Sequence, residues 1–454
     1  MKKIVSIFSK WIFASKRTWF LWAVFVIALI IRIGIIIVAS HPDHPEMYEH
    51  GAIAHNLYTG HGFAMHWPYE SLDSQRVALM KLPPQYESAY QPPLNPYLIY
   101  GAYLIFGENR AAIIFLMLFY AVISSFMPLV VFKTGMLIGN EASARISSLI
   151  SVLFLPAAFA VITFSGSALH QLLGLVILFL AITATQKPSL RSFFTLGICC
   201  GAMTLLRSEF LIVGFLLIIT LLFFASKKSH LKRIVSWGGI SFIACAAVIA
   251  PWTFRNYALF HKFVPIVDRP WHEIWRGNNM YATASSFDGA GIPIWVHASR
   301  FPKIIAAMDS IPYDQYFSIR VDSIFRNEAL TYMQQHPSRD IELVVKKIFA
   351  LMTIAYFPGM TENPLYILCI LFVSFTSIAG MIAVVQKARL MHDYSITMLY
   401  AVFFGYYCII VMATFILPRY QIYIFSVLLP LTGLGTEKIA TIRIFRRNKA
   451  ILEL

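Results

Sequence analysis

From Trp19 to Ala39 the chain carries a single charged side chain, Arg32, in an otherwise unbroken apolar run. A run of that length meets the requirement of roughly 20 residues for a helix that crosses a bilayer. Runs of the same kind recur to the C-terminal region, so that 58% of the 454 residues are hydrophobic and only 13% are charged. No soluble globule has an interior large enough for that much apolar surface, whereas a bundle of membrane helices requires it. The expected fold is therefore an all-α polytopic membrane protein. The net charge of +15 does not point to nucleic acid, because the basic residues lie in short clusters between apolar runs instead of along one polar face. No nucleic-acid partner is expected.

Those clusters give an orientation. Lys2, Lys3, Lys10, Lys16 and Arg17 precede the first run, and Lys133/Arg145, Lys187/Arg191, Lys227/Lys228/Lys232/Arg233, Lys387/Arg389 and Lys438/Arg443/Arg446/Arg447/Lys449 follow in later turns. All of them fall on one side if the spans lie near 19–39, 112–134, 146–164, 167–185, 192–207, 209–225, 234–252, 363–385, 396–416 and 420–436, ten helices with both termini cytoplasmic. The first run is too long for a signal peptide and no small-x-small cleavage site follows it, so it is expected to stay as a helix. Cys199, Cys200, Cys245, Cys369 and Cys408 all sit within apolar runs and suit small core residues. One membrane domain, 1–454, is expected, with two long extracytoplasmic loops at 40–110 and 253–345.

The first loop holds the acids. In Asp43-His44-Pro45-Glu46-Met47-Tyr48-Glu49-His50, Pro45 suits the first turn of a helix that Gly60 and Gly62 would end. On such a helix Glu46, Glu49, His50 and Ile53 share a face, and two neighbouring carboxylates raise the pKa of one, as a general base requires. The same pattern also describes an amphipathic surface helix with solvated acids. His41, His44, His50, His55, His61 and His66 surround these acids, but their spacing matches no closed zinc pattern; no cofactor is assigned and no metal ligand is named, although the cluster is compatible with a divalent ion. Farther on, the prolines of Gln91-Pro92-Pro93-Leu94-Asn95-Pro96 redirect the chain into an apolar stretch that ends at Phe106-Gly107, either a re-entrant helix or the start of a span.

Four arginines stand out. Arg207, Arg255 and Arg419 sit at the outer ends of three expected helices, where guanidinium groups suit a lipid-linked phosphate or snorkel to headgroups. Arg32, inside the first span, costs ~2.5 kcal/mol or more unless it snorkels, pairs with Glu46 or Glu49, or meets an anion. In the second loop Trp271, Trp275, Tyr281 and Trp295 offer ring faces for stacking on a sugar, and His272, Glu273, Asn278 and Asn279 offer polar groups; the aromatics equally suit a small core or an interfacial belt. The segment 313–335 is expected to be a helix that His336-Pro337 stops.

Glu46 through Phe63 follow the order acid-x-x-Glu-x-Gly-x-Ile-Ala-x-Asn-Leu-x-x-Gly-x-Gly-Phe, and Gln91 to Asn95-Pro96 come after them. With Leu206-Arg207-Ser208-Glu209, Pro251-Trp252-Thr253-Phe254-Arg255-Asn256-Tyr257, Gly277-Asn278-Asn279, His336-Pro337 and Pro418-Arg419-Tyr420, this order resembles the polyprenyl-phosphate-dependent glycosyltransferases of the GT-C fold. Relatives of that family include protein O-mannosyltransferases and lipid A aminoarabinose transferases. The resemblance implies transfer of a sugar from a polyprenyl-phosphate carrier to an acceptor hydroxyl of a glycan, lipid or protein at the outer face of a bacterial plasma membrane, with inversion. It implies Glu46 as base, where the family usually has Asp, with Glu49 and Asp43 as the alternatives in that order. On the charge argument above, Arg207, Arg255, Arg419 and Arg32 are expected to meet the donor phosphate. Trp271, His272, Glu273, Asn278 and Asn279 are expected to meet the acceptor or the sugar. The alternatives are a lipid-linked sugar transporter or flippase and a polymerase or ligase with a diphosphate-linked donor.

Overall fold

The computed structural model describes residues 16–43, 45, 47–65, 87–225, 230–288, 292–294, 297, 301–312, 314–352, 364–390 and 394–436. Among the described residues, six helical stretches are long and apolar enough to cross a membrane: Arg17–Ala39, Arg110–Ile138, Ser167–Gln186, Leu231–Phe260, Ile367–Gln386 and Tyr394–Ala413. Shorter apolar helices cover Leu94–Phe106, Leu190–Leu206 and Phe210–Phe224. Among the described residues there is no strand, only isolated bridges. The chain is an all-α polytopic membrane protein.

The order of elements follows from local signals. Helix α1 (Arg17–Ala39) is followed by a loop helix α2 (Tyr48–Tyr58), which begins later than Pro45 and ends at Thr59 before Gly60 and Gly62, both at positive φ. After Pro92-Pro93 comes α3 (Leu94–Phe106), which packs against α2 and, at 13 residues, is too short to span. Asn109 caps α4 (Arg110–Ser125), and Pro128 in the first turn of α5 (Met127–Ile138) carries the chain on with only a local break at Phe126. Asn140 and Ser143 form a capping box that opens α6 (Glu141–Val152). The expected span 146–164 is interrupted here: α6 stops at Val152 and a five-residue helix α7 (Leu155–Phe159) starts around Pro156. A proline at that point cannot donate to the preceding turn, so the apolar run breaks even though its hydropathy continues.

Beyond Gly166, in the left-handed conformation, runs α8 (Ser167–Gln186), followed by α9 (Leu190–Leu206), α10 (Phe210–Ala225) and α11 (Leu231–Phe260). Helices α9 and α11 lie parallel and very close. A Cβ on Gly197 would run into the Ser241 carbonyl, and one on Gly201 would stand 2.9 Å from the Cys245 carbonyl oxygen. Going one turn up α9 therefore goes one turn up α11. Leu205 accordingly packs with Ile249 and Trp252, which lie in one apolar cluster with Ile53, Phe63 and Ala89 of the first loop. Arg207 and Arg255 thus emerge at the end of the bundle that carries that loop.

The second loop begins after His261, the C-cap of α11, and contains α12 (Pro270–Gly277), α13 (Pro302–Asp309) and α14 (Phe317–Gln335). His336 ends α14 as expected, but Pro337 opens a further helix, α15 (Pro337–Met352), because proline is well suited to a first turn. Last come α16 (Pro364–Leu390), α17 (Tyr394–Ala413) and α18 (Pro418–Ser426). The expected span 420–436 is likewise interrupted, by a turn at 427–428.

Candidate functional site

The two loops are joined along a three-residue strip of the first. Arg255 Nη1 donates to the Ser88 carbonyl (2.7 Å), Ala89 N–H donates to Asp268 Oδ2 (3.0 Å), Asp268 N–H donates to the Ala89 carbonyl (3.1 Å), and Arg269 Nε donates to the Tyr90 carbonyl (3.3 Å). Arg255 also reaches the Phe63 carbonyl (3.4 Å) and stands 3.7 Å from Glu87. This arginine, expected at a phosphate, spends both terminal nitrogens on the backbone of the first loop and lays its charge over Trp252.

Tyr90 is where the acids and cations of both loops meet. The ring is buried under the Arg269 guanidinium. Burial drives its phenol up, Arg269 opposes this, and the carboxylates of Glu49 and Glu273 reinforce it. Glu49, on α2, is thus a first-loop acid whose charge acts at the ring that Arg269 of the second loop covers. Glu273 in turn binds Arg276 Nη1 (3.0 Å), His272 Nδ1 (3.3 Å) and Arg269 (3.7 Å). Burial works against its charge, yet Arg276, His272 and Arg269 together hold the carboxyl well below the usual range. His272 is buried, stacked on Trp275 and edge-on to Phe325, and burial pushes its imidazole down to about 4 against the pull of Glu273.

Arg276 continues the line. Its guanidinium lies 4.5 Å over Phe415, Phe415 is 6.3 Å from Tyr420, and Tyr420 is 6.2 Å from Tyr423. Tyr423 accepts a short hydrogen bond from Arg207, whose charge also rests 4.9 Å over the Tyr423 ring. A track of cations and aromatics thus runs from Tyr90 to Arg207.

The remaining expected residues are placed as follows. Asp43 is exposed and 3.5 Å from Arg110. Glu46, His44, His66 and Trp295 lie outside the described residues, as does the side chain of Arg419, whose backbone stands in the first turn of α18. Arg32 does not snorkel, and among the described residues it faces no acid. It is fully buried, with Nε donating to Ser124 Oγ (2.8 Å) and Nη1 to the Ala28 carbonyl (3.0 Å). Snorkelling fails because α4 covers that face of α1. Trp271 is half-buried beneath Arg326, whereas Trp275 belongs to a small core with Ile304, Phe317, Val321 and Phe325. Asn278 donates to the Ile274 and Ala413 carbonyls (both 2.7 Å) and accepts from Lys347 Nζ (3.3 Å). Asn279 bonds the Trp275 carbonyl and the Tyr281 N–H (both 2.8 Å). The Asn278 amide is consumed in fixing α12 to the end of α17, and the Asn279 amide in closing the turn that follows α12.

The described histidines of the first loop do not gather. His55 pairs with Glu108 (2.8 Å), His61 with Thr59 (2.8 Å), and His50 is buried beneath α2. Among the described residues no three of His, Cys, Asp and Glu stand together as metal ligands.

Arg269, Arg276, Tyr90, Tyr423 and His170 were not singled out by the sequence. Arg276 was open to discovery, since it follows Glu273 by three residues on a helix. Tyr423 follows the Pro418-Arg419-Tyr420 motif by one turn.

Comparisons with known proteins bear on the fold and the family likeness. Residues 90–254 match the family described as dolichyl-phosphate-mannose-protein mannosyltransferase. No curated protein matches the chain. Among solved structures, the archaeal oligosaccharyltransferase AglB from Archaeoglobus fulgidus, in complex with an inhibitory peptide and a dolichol-phosphate, is 13% identical with a TM-score of 0.55, over 96% of this chain and 52% of that one. The fold is the GT-C fold. The same oligosaccharyltransferase in complex with Zn and sulfate gives a TM-score of 0.52 at 14% identity, over 94% and 50% of the two chains. ArnT from Cupriavidus metallidurans, bound to undecaprenyl phosphate, gives 0.43 at 14% identity, over 93% and 79%. The chain thus spans about half the length of the oligosaccharyltransferase. The resemblance drawn from the loop motifs is borne out at the level of fold and family likeness.

Proposed function

We propose that this protein is an integral-membrane glycosyltransferase that moves a sugar from a polyprenyl-phosphate carrier to an acceptor hydroxyl, with inversion, at the outer face of a bacterial plasma membrane. The observation that carries this reading is the meeting of Glu49, from the first loop, with Arg269 and the Glu273–Arg276 pair of the second around one buried ring, Tyr90. A transferase of this kind needs a carboxylate for the acceptor and fixed cations for the phosphate that departs, and both kinds of group stand along one track.

In the proposed reaction Glu46 removes the acceptor proton and Glu49 orients the acceptor; Asp43 and Glu49 are the alternative bases. As the glycosyl bond breaks, negative charge grows on the lipid phosphate, and preorganised guanidinium groups stabilise that charge more than the ground state. Arg207 and Arg419 take this part, and Arg276 joins them. Arg255 contributes through the loop it holds. Arg32, sealed in the bundle, holds α1 against α4.

The experiment is to supply purified protein with a labelled polyprenyl-phosphate monosaccharide and a mixture of lipid, glycan and peptide acceptors. A new glycosidic bond supports the reading. Movement of the lipid across vesicles without a new bond supports a flippase, and use of only a diphosphate-linked donor supports a polymerase or ligase.

A further inference from the structure

Three helices meet just below Arg207. A Cβ on Gly174 of α8 would touch Met203 Cε of α9 at 3.5 Å and Val427 Cγ1, just after α18, at 4.0 Å. One turn nearer the loops, the same three segments bring His170 and Gln171, Arg207 and Tyr423 to one level. The contacts agree with this register. His170 stacks on Tyr423 at 4.0 Å and its Nε2 pairs with the Tyr407 hydroxyl at 2.8 Å. The Tyr423 hydroxyl accepts from Arg207 and pairs with Ser167 Oγ at 2.9 Å.

Every member of this cluster has a partner except one. The Gln171 side chain is 1% exposed, and among the described residues neither its Nε2 nor its Oε1 has a hydrogen-bonding partner; His170 Nδ1, beside it, also has none there. A buried amide with both ends unsatisfied is strongly disfavoured in an apolar bundle. Such a group persists where something else supplies the bonds. The chemistry of that something is constrained. A phosphate offers acceptors only and is repelled by an amide oxygen, whereas a hydroxyl donates to Oε1 and accepts from Nε2.

We propose that Gln171 is the recognition residue of a hydroxyl-binding subsite at the level of Arg207, and that it selects the sugar of the lipid-linked donor by a ring hydroxyl. The phosphate end is met by Arg207 and the sugar by Gln171, with His170 as the second contact. This rests on the glycosyltransferase reading above.

The test uses Gln171→Met, which keeps the volume and removes both polar atoms. Because no protein bond is lost, the ligand-free variant melts at or above the wild-type temperature. A short-chain prenyl-phosphate sugar raises the wild-type melting temperature more than the bare prenyl phosphate does, and this preference disappears in the variant. In transfer assays kcat/KM for the natural donor falls about tenfold, while a donor analogue lacking the recognised hydroxyl is used equally by both proteins. A variant that melts lower and loses activity equally with all donors, or that keeps the wild-type preference, overturns the proposal. The two readings separate cleanly. Sugar-selective binding without transfer would sustain the subsite and remove the transferase reading; transfer with unchanged selectivity in Gln171→Met would do the reverse.

Discussion

Gly277 is the point at which the second loop is pressed hardest against the bundle, and Gly277→Ala tests whether that contact matters. A Cβ at this position overlaps the Thr414 carbonyl group and stands only 3.0 Å from Thr414 Cα. Carbon–oxygen contacts settle at about 3.3 Å or more, so one backbone must retreat by roughly an ångström or more. The atoms concerned are main chain on both sides, and no side-chain rotation relieves them. The adjacent bonds, from Asn278 Nδ2 to the Ala413 carbonyl (2.7 Å) and from Lys347 Nζ to Asn278 Oδ1 (3.3 Å) and the Met412 carbonyl (3.0 Å), then stretch beyond useful length. A neutral bond contributes about 1 kcal/mol and each of the two bonds to the charged group about 1.5–3 kcal/mol, which places the expected loss at roughly 4–7 kcal/mol. Lys347 is fully buried, so its freed ammonium has no water to turn to. The assay is thermal unfolding of detergent-solubilised protein followed by size-exclusion chromatography. Gly405→Ala serves as control, since nothing lies within 4 Å of a Cβ there. Gly277→Ala should melt several degrees lower and Gly405→Ala at or slightly above wild type. Equal melting of all three would refute the tight seating of α12 on α17.

Three further outcomes are expected. Burial pushes the Asp322 carboxyl up to about 7, reinforced by Asp268 and opposed by its hydrogen bond from the His272 N–H and by Arg269. The folded protein then holds a proton that the unfolded chain releases near 4, so this residue's contribution to stability falls as pH rises from about 4 to about 7. Asp322→Asn should flatten that part of the melting-temperature profile between pH 5 and 8, and a profile parallel to wild type would count against it. Arg255→Met should lose the clasp on Ser88 and Phe63, which would be seen as faster proteolysis of the first loop together with reduced transfer, while Arg255→Lys recovers only part because a single ammonium cannot reach both carbonyls. Tyr423→Phe removes the hydroxyl shared by Arg207 and Ser167 while keeping the ring; binding of a lipid phosphate should weaken by about ten- to a hundredfold, and unchanged binding would separate Tyr423 from the site.

The long apolar runs made the fold legible, because a chain with so little charge has few alternatives to a membrane bundle. What hydropathy does not register is the effect of a single ring closure. Pro156 divides 146–164, and Pro337 begins a helix at a place where proline was expected to stop one. Acids and arginines at helix ends drew attention in the sequence, since those residue types are expensive near a bilayer, and they remain the proposed site. Its assembly was not. The strip Ser88-Ala89-Tyr90 is gripped through its backbone atoms, so the grip leaves no signature in the side chains of that strip. Arg255 looked like a phosphate ligand because a guanidinium at a helix end suits a carbonyl as well as a phosphate. Trp275 looked like a sugar platform because ring faces look alike in sequence, whereas its contacts with Phe301 and Phe325 make it core. The orphaned amide of Gln171 lies within an apolar run, and nothing in the pattern separates it from a satisfied core residue.

The most direct measurement of the central claim is transfer of a labelled sugar from a polyprenyl-phosphate donor by purified wild-type protein, Glu46→Gln and Glu49→Gln in lipid vesicles, with the anomeric configuration of the product determined. The expected result is an inverted glycoside from wild type, none from Glu46→Gln, and a strongly reduced yield from Glu49→Gln, with all three proteins equally abundant in the membrane. Full transfer by both variants, or a product that retains the donor configuration, would contradict it.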